Sequence, residues 1–191
     1  MLVNISRSRI LLALALAIET AVFLGYFSIR AALASHYVEL NTLGGFEKAV
    51  RLEPSNDRNW YSLGRYLQNN LENRDLERAI SAYLKALEIN PRSAETWLEL
   101  ASAYESKADI NAAQKTFIEA RRIYPASGDV SWKYENFLLR QNENVKGFLE
   151  IHRAVEADPG RALEAFLVCR HVERDLEVIL DRALPPFPIA Y

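Results

Sequence analysis

The sequence predicts an all-α protein, an α-solenoid of about three to four helix–turn–helix repeats preceded by an apolar N-terminal helix. Three observations lead to this prediction. A set of large and small landmark residues recurs between residues 57 and 125, the proline that ends each repeat recurs after 34 residues, and a mainly apolar run of twenty residues precedes the repeats. A repeat of this length indicates stacked helical hairpins that expose a groove, so the pattern favours binding over chemistry.

The landmarks follow the period of a helix. Trp97, Leu100, Ala101 and Tyr104 have the i, i+3, i+4, i+7 spacing of one helix face. Small residues are expected where two helices approach closely, and large residues between repeats. An ordinary helical bundle is the alternative, but it does not require the landmarks to recur in the same order. They are Trp60, Leu63, Gly64, Ala79, Tyr83, Ala86 and Pro91, and then Trp97, Leu100, Ala101, Ala113, Phe117, Ala120 and Pro125.

These landmarks resemble the tetratricopeptide repeat family. Its pattern has an aromatic residue and Leu-Gly in the first helix, and Ala, Tyr or Phe, Ala and Pro in the second. The chain departs from it in two places. The first repeat carries about three extra residues in its inter-helix turn, near residues 69–76, and the second has Ala108 where the family often has Gly.

The array extends in both directions with weaker matches. Phe46 and Ala49 match second-helix landmarks before Pro54. A third full repeat is traced by Trp132, Leu139, Ile151, Ala154 and Pro159, with Glu135 and Asn136 in place of Leu-Gly. The expected organisation is an N-terminal anchor at 1–30 and a solenoid at 31–184, followed by an extended Pro-rich tail at 185–191. Within the solenoid we expect repeats near 31–56, 57–93, 94–127 and 128–160, and a capping helix pair at 161–184.

Residues 10–29 are long and apolar enough for a transmembrane helix, since twenty residues span about 30 Å. A cleaved signal peptide is the rival interpretation, with Ala32-Leu33-Ala34 as its cleavage motif. We favour an uncleaved signal anchor, because the apolar run exceeds the usual 7–15 residues or so. Arg7 and Arg9 precede the run and Arg30 follows it, which predicts a cytoplasmic N-terminus and repeats on the periplasmic or extracellular side.

Glu19 is an acid in the middle of this run. A charged residue there costs about 2.5–3.5 kcal/mol on insertion scales, which the surrounding apolar residues offset. Glu19 is therefore either tolerated or paired with a polar group on another membrane helix. The second interpretation makes it a candidate membrane-helix contact.

Composition argues against several classes of function. The net charge is −2 and the sequence pI about 6.0, without a basic stripe, so a nucleic acid partner is not expected. The single cysteine, Cys169, has apolar neighbours, which indicates a buried thiol. His36, His152 and His171 do not form a metal-ligand spacing, and no nucleophile or phosphate-loop motif is present. We expect neither cofactor nor metal, and no enzymatic activity.

The resemblance implies where a partner binds, because in this family the first helix of each repeat lines the concave surface. We expect Tyr61, Tyr134 and Phe137 to offer rigid contact area and Arg65 and Arg140 to pair with carboxylates. The acids of the second repeat form a negative band that suits a ligand with a basic or hydroxyl-rich centre. The predicted groove residues are Arg58, Tyr61, Ser62, Arg65, Gln68 and Asn69, then Glu95, Leu98, Glu99, Ser102 and Glu105, then Val130, Lys133, Tyr134, Phe137 and Arg140.

One specialisation of the family is not expected. Chaperone-binding members hold a peptide's terminal carboxylate with Lys and Asn at set groove positions. Of the matching residues here only Arg65 suits a carboxylate, and Glu99 repels one. The matching positions hold Tyr61, Arg65, Glu99, Val130 and Tyr134.

The sequence therefore predicts a membrane-anchored scaffold of a bacterial cell envelope that holds a protein or peptide in its groove. Its layout resembles small repeat proteins that accompany bacterial surface-polysaccharide machinery. The alternative is a self-assembling structural subunit, because the ends of a solenoid are open and head-to-tail contacts propagate. In that case the apolar helix and the tail at 185–191 would contact neighbouring copies.

Overall fold

The structure is a computed structural model that describes residues 7–184. Within this range the chain is helical and contains no strand, which confirms the predicted all-α class. The tail predicted at 185–191 lies outside the described residues. The helices are α1 (Arg7–Glu39), α2 (Leu43–Leu52), α3 (Asp57–Asn69), α4 (Leu76–Ile89), α5 (Ala94–Ser106), α6 (Ile110–Ile123), α7 (Gly128–Arg140), α8 (Asn144–Ala157), a 3-10 turn at Pro159–Arg161, α9 (Ala162–Val172) and α10 (Leu176–Arg182).

Local sequence explains where the helices begin and end. Short polar side chains precede most of them and accept a hydrogen bond from a backbone N–H of the first turn, which satisfies a donor that has no intrahelical partner. Pro91 and Pro125 each follow the end of a helix by two residues, where a proline stops helix propagation. The capping side chains are those of Thr42, Asn56, Ser93, Asp109, Ser127 and Asp175.

The chain divides into two compact halves, one ending at Ile89 and one beginning at Asn90. In the N-terminal half, α1 to α4 run antiparallel in sequence order. Asn59 Nδ2 on α3 donates to the Ala49 carbonyl on α2 at 3.4 Å. The hydroxyl of Tyr83 on α4 donates to Gln68 Oε1 on α3 at 2.7 Å. These contacts fix the register of successive helices.

In the C-terminal half, α5 to α10 enclose two apolar clusters. The first joins α5, α6 and α7 around Phe117, whose ring centre lies 5.4 Å from that of Tyr134 and 5.1 Å from that of Phe137. The second joins α8, α9 and α10 around Ile151, Cys169 and Ile179, all fully buried. The terminal helix pair therefore closes a core rather than extending into solvent.

Three turns within helix pairs place a non-glycine residue in the left-handed region. Asn41, Ala108 and Asn142 have φ values of 49°, 63° and 60°. Each of these turns has three residues between its helices, whereas the turn between α3 and α4 has six. This difference confirms the extra length predicted for the first repeat.

Candidate interaction surfaces

The N-terminal half has a cleft of about 500 Å³ between α1 and α3. Arg65 is the one charged residue of its lining, and its guanidinium carbon lies 5.7 Å from the centre of the Tyr61 ring. Tyr61 itself is 7% exposed, so it supports the cleft floor more than its rim. The lining consists of Val38, Asn41, Phe46, Tyr61, Ser62, Arg65, Tyr66, Asn69 and Asn70.

The residues of the first repeat that were predicted to bind a partner have different environments. Arg58, Arg65 and Asn69 are exposed. Gln68 is buried, because its side-chain oxygen accepts the hydrogen bond from Tyr83 in the interior of the repeat. Those of the predicted set that line the same cleft are Tyr61, Ser62, Arg65 and Asn69.

The C-terminal half has a second cleft, of about 380 Å³, between α5 and α7. Leu98 and Trp132 contribute apolar area, whereas Glu95, Asp129 and Lys133 supply charge. Leu98 is 5% exposed and packs in the first apolar cluster. The lining consists of Ala94, Glu95, Leu98, Ser127, Asp129, Val130, Trp132 and Lys133.

The register of α7 differs by one residue from the sequence interpretation. Ser93 Oγ accepts from the Thr96 N–H, and Ser127 Oγ accepts from the Val130 N–H, each at 3.3 Å. The two helices therefore start 34 residues apart. The sequence interpretation matched Trp132 to Trp97, which is a step of 35, so every landmark assigned to α7 is shifted by one.

This shift explains why several predicted groove residues of α7 are buried. Tyr134 occupies the position equivalent to Leu100 and Phe137 the position equivalent to Ala103, both of which are interior positions. Phe137 is 1% exposed and Tyr134 6% exposed; the Tyr134 ring stacks on Phe117, and the Phe137 ring packs against it at a tilt of 37°. Val130 is also fully buried. These three side chains pack inside the repeat, and Val130 also forms part of the floor of the second cleft.

The residues that take the groove positions of α7 are Asp129, Trp132, Lys133, Asn136 and Leu139. Of these only Lys133 was predicted. The signal was present in the sequence, because Pro125 and Pro159 are themselves 34 residues apart. Anchoring the repeat on its prolines rather than on the tryptophan gives the observed register.

Ion pairs cross between α5 and α7 on the same surface. Lys133 Nζ lies 3.1 Å from Glu99 Oε1, and the Arg140 guanidinium donates two hydrogen bonds to Glu105 at 2.8 and 2.9 Å. Glu105 thereby raises the pKa of Arg140. Two acids of the negative band, Glu99 and Glu105, are thus neutralised by Lys133 and Arg140. Ser102 is half-buried, and Glu95 is exposed.

Two acids of the C-terminal half are buried in different ways. Glu150 forms ion pairs with Arg121 and Arg153. Glu135 is fully buried, and neither of its carboxyl oxygens has a hydrogen-bond partner among the described residues. Burial raises the pKa of Glu135 to about 8. The same burial effect, with a contribution from Glu135, raises the pKa of the Cys169 thiol to about 12. No cluster of metal-ligating side chains occurs within residues 7–184.

The apolar part of α1 is exposed along its length. The segment Ile10–Glu39 has a mean hydropathy of 2.2 over its most apolar window and is long enough to cross a membrane, a criterion that an N-terminal signal sequence also meets. Glu19 is exposed on this helix. Further along, the guanidinium of Arg30 donates to the hydroxyl of Tyr26 and to the Leu52 carbonyl on α2.

Comparison with known proteins identifies the architecture. A family model described as the HIR3 helical bundle domain matches residues 64–116, and none of the curated proteins matches the chain. Among solved structures, MamA (41-end) from Desulfovibrio magneticus RS-1 is 13% identical, with a TM-score of 0.63 over 82% of this chain and 90% of that one.

Two further solved structures are described as tetratricopeptide repeat proteins. TTC0263 from Thermus thermophilus is 17% identical, with a TM-score of 0.58 over 68% of this chain and 70% of that one. YrrB, described as having an unusual peptide-binding site, is 18% identical, with a TM-score of 0.55 over 74% and 68%. The chain has the tetratricopeptide repeat fold, and the expectation from its landmarks is confirmed.

Proposed function

We propose, with the tetratricopeptide repeat fold as the premise, that this chain is a non-enzymatic scaffold anchored in a bacterial envelope membrane by α1. It holds a protein partner in the clefts lined by the first helices of its repeats. The repeats lie on the periplasmic or extracellular side, as the charges flanking the apolar segment favour. The chain's layout of anchor, repeats and tail supports a role beside bacterial surface-polysaccharide machinery.

The observation that carries the proposal is that each half of the chain has a cleft between two of its first helices, near the C-terminal ends of α1 and α3 in one half and near the N-terminal ends of α5 and α7 in the other. Each combines apolar side chains with one to three charged groups, which is the usual composition of a recognition site. In the N-terminal half the charged group is Arg65. In the C-terminal half the rim has the acids Glu95 and Asp129 together with Lys133. A partner with an acidic side chain at the first cleft and a basic one at the second matches these charges.

Site-specific photo-crosslinking in intact membranes tests this assignment. A photoreactive residue replaces Asn69 or Glu95 in the clefts, and a matched control replaces Ser81 on α4 or Lys115 on α6, which are also exposed. We expect one partner protein to link from both cleft positions and from neither control. Equal capture from the control positions would contradict a specific groove.

A second candidate function is favoured by the surface of the last two helices. Leu163 and Leu167 on α9, and Leu176 and Leu180 on α10, are between 49% and 71% exposed. A terminal repeat normally presents a polar outer face. This apolar face supports the alternative of a self-assembling subunit, in which one copy packs its terminal helix pair against the next.

The same crosslinking approach separates the two functions. Photoreactive residues at Leu163 and Leu180 should link mainly to other copies of the chain if it assembles with itself. Substituting Leu167 and Leu176 by Glu should then abolish those links and reduce the size of the complex. If the links from α9 and α10 are few and the cleft links persist, the scaffold function stands alone.

A further inference from the structure

Helix α1 continues without a break from the apolar segment into the first helix pair. It runs from Arg7 to Glu39, whereas the apolar run ends at Ile29. Its last ten residues pack on α2, and Ala34 is fully buried there. The helix that crosses the membrane under the proposed function is therefore also the first helix of the repeat array. Because α1 is one continuous helix, its tilt in the membrane also sets the orientation of the N-terminal repeats that pack on it.

The junction is held by contacts at two levels. At the membrane level, Arg30 donates to the Leu52 carbonyl at the C-terminal end of α2, and its guanidinium carbon lies 5.3 Å from the centre of the Tyr26 ring. One to two turns further, Gly45 lies directly against the Tyr37 backbone carbonyl, with no room for a side chain. Helix α2 therefore runs antiparallel to α1, and its C-terminal end lies beside Arg30.

Helices α3 and α4 alternate in the same way: α3 runs away from the level of Arg30 and α4 returns to it. Phe46 on α2 packs on Tyr66 near the end of α3, with ring centres 5.1 Å apart, and Asp75 N–H donates to Leu67 O at 2.9 Å. One edge of the half thus consists of the loop 53–56, the start of α3 and the end of α4. The opposite edge contains the turns at 40–42 and 70–75. With a rise of 1.5 Å per residue, α3 separates the two edges by about 18 Å.

The edge that lies at the same height as Arg30 carries exposed basic and apolar side chains, which can contact a membrane surface. Arg51 has a side chain that is 74% exposed and lies 3.7 Å from the carboxylate of Glu47, and Arg58 is also exposed. Ile89 at the end of α4 is 39% exposed. This edge also carries the acids Glu53, Asp57 and Glu88. Glu53 accepts from Asn56 Nδ2 at 3.1 Å and Asn59 Nδ2 at 3.5 Å, and Glu88 pairs with Lys85 at 2.7 Å. Basic residues within a Debye length of anionic lipids are attracted to the membrane surface.

We propose that this edge, with Arg30, Arg51 and Arg58, lies on anionic lipid headgroups and that α1 holds the N-terminal repeats upright on the membrane. The inference rests on the proposed anchoring by α1. It adds a fixed orientation and a lipid-facing surface. It also places the cleft between α1 and α3 above the bilayer. Val38 lies eight residues beyond Arg30, so the cleft begins about 12 Å above the headgroup level. The partner segment that enters it must lie at that height.

Depth measurements on the full chain in vesicles test the orientation. Single cysteines replace Ser55 on the lipid-facing edge and Leu71 on the opposite edge, which is 94% exposed. Native Cys169 is buried, and its pKa is raised to about 12, so it does not compete for a thiol-reactive fluorophore. Quenchers attached to lipid headgroups then report the distance of each label from the surface. Vesicles of neutral lipid and of neutral lipid mixed with phosphatidylglycerol are compared.

We expect strong quenching at position 55 and little at position 71, with quenching at 55 increasing when phosphatidylglycerol is present. Equal quenching at the two positions would overturn the upright orientation. Quenching at 55 that ignores lipid charge would overturn the headgroup contact. Flotation with the vesicles is measured in parallel. A chain that floats but shows no depth difference contradicts only this inference, whereas a chain that does not float contradicts the proposed anchoring itself.

A break in α1 supplies the control. Ala32 is exposed and lies two residues beyond Arg30, at the start of the part of α1 that packs on α2. Ala32→Pro removes a helix hydrogen bond and kinks the chain, and Ala32→Ser leaves the helix intact. We expect the proline variant to float normally but to lose the difference between positions 55 and 71. An unchanged difference in the proline variant would show that α1 does not set the orientation.

Discussion

Gly64 on α3 lies directly beneath the ring of Tyr83 on α4. A Cβ added at residue 64 would come within 2.7 Å of Tyr83 Cε1. The ring cannot move aside easily, because Tyr83 is fully buried and its hydroxyl donates to Gln68. The small landmark of the first helix and the aromatic landmark of the second are thus two sides of one contact.

We therefore expect Gly64→Ala to destabilise the fold. Alanine favours a helix interior by about 1 kcal/mol over glycine, but overpacking a core costs about 1–3 kcal/mol, so the steric effect wins. Urea unfolding followed by circular dichroism measures the difference. Gly44→Ala is the matched control, because Gly44 lies in α2 with nothing within 4 Å of the added Cβ. A Gly44 variant as unstable as the Gly64 variant would contradict the steric explanation.

The Gly64–Tyr83 contact also shows what the sequence could predict. Recurring small and large landmarks mark helix contacts that every repeat needs, so the helices and their pairing were predictable. The register of α7 was missed although the Pro125–Pro159 spacing indicates it, because Glu135 replaces the small residue that Gly64 and Ala101 supply. Without that landmark, Trp132 was aligned with Trp97, which shifts the predicted register of α7 by one residue. The buried state of Tyr134 and Phe137 follows from that single shift.

The charge pairing of the groove was equally hidden from the sequence. Lys133 and Arg140 were predicted as ligand-binding groups, but whether a surface cation meets a ligand or a neighbouring acid depends on side-chain geometry across two helices. The structure places Glu99 and Glu105 within hydrogen-bond distance of them. Exposed pairs of this kind contribute about 0–1 kcal/mol each, so a ligand with better complementarity can displace them.

Ala108 is the residue for which we expect a stabilising substitution. Its φ of 63° lies in the left-handed region, which costs a residue with a Cβ about 1–2 kcal/mol. Glycine removes that cost, and Ala108 is exposed, so no packing is lost. Ala108→Gly should therefore raise the unfolding free energy by up to about 1 kcal/mol, measured by urea titration.

Asn142 occupies the equivalent turn of the next repeat with a φ of 60°. Asparagine tolerates this conformation better than alanine does. The matched Asn142→Gly variant should thus gain less than Ala108→Gly. Equal gains at both positions would mean that the left-handed backbone of Ala108 is not the cause.

Glu19 gives a prediction for the membrane segment. It lies at the centre of the residues 10–29. If it pairs with a polar group on another membrane helix, Glu19→Leu should reduce co-purification of the complex in mild detergent, without changing the thermal unfolding of the repeats. Glu39→Leu, at the end of the same helix and beyond the apolar run, is the control. Co-purification that survives Glu19→Leu would mean that the acid is merely tolerated in the lipid.

Glu135 makes stability depend on pH. Its pKa is raised from 4.5 to about 8 by burial, with Glu164 adding to the rise and Arg140 opposing it. Between these values the folded state keeps a proton that the unfolded state has lost. The unfolding free energy should therefore fall as pH rises from about 5 to 8, by up to about 1.4 kcal/mol per pH unit. Urea titrations at several pH values measure it.

Glu135→Gln should reduce that pH dependence, since the amide does not ionise, and leave the part that comes from Glu150, whose pKa burial also raises. The control is Glu72→Gln, in an exposed turn of the N-terminal half. A pH profile that is unchanged in the Glu135 variant and altered in the Glu72 variant would contradict the assignment. Cys169, which also contacts this region electrostatically, remains a neutral thiol throughout the range because its pKa is raised to about 12.

The two buried acids should respond in opposite ways to an apolar replacement. Glu135→Leu removes a carboxyl group that has no hydrogen-bond partner and places an apolar side chain in a fully buried site. At pH 7 we expect it to be neutral or stabilising. Glu150→Leu leaves Arg121 and Arg153 without their shared carboxylate. Breaking a buried pair from one side costs about 3–5 kcal/mol; because both arginines are partly exposed, we expect the lower end or less.

Urea titrations of both leucine variants at pH 7 and at pH 5 decide the comparison. Lowering the pH should reduce any gain of Glu135→Leu, because the parent protein regains stability as the unfolded glutamate becomes protonated. The loss in Glu150→Leu should persist, because the arginines stay charged at both pH values. If both variants lose the same unfolding free energy at pH 7, the buried volume of the side chain matters more for stability than the pairing of its charge. The contrast between a paired and an unpaired acid would then not govern the stability of this half.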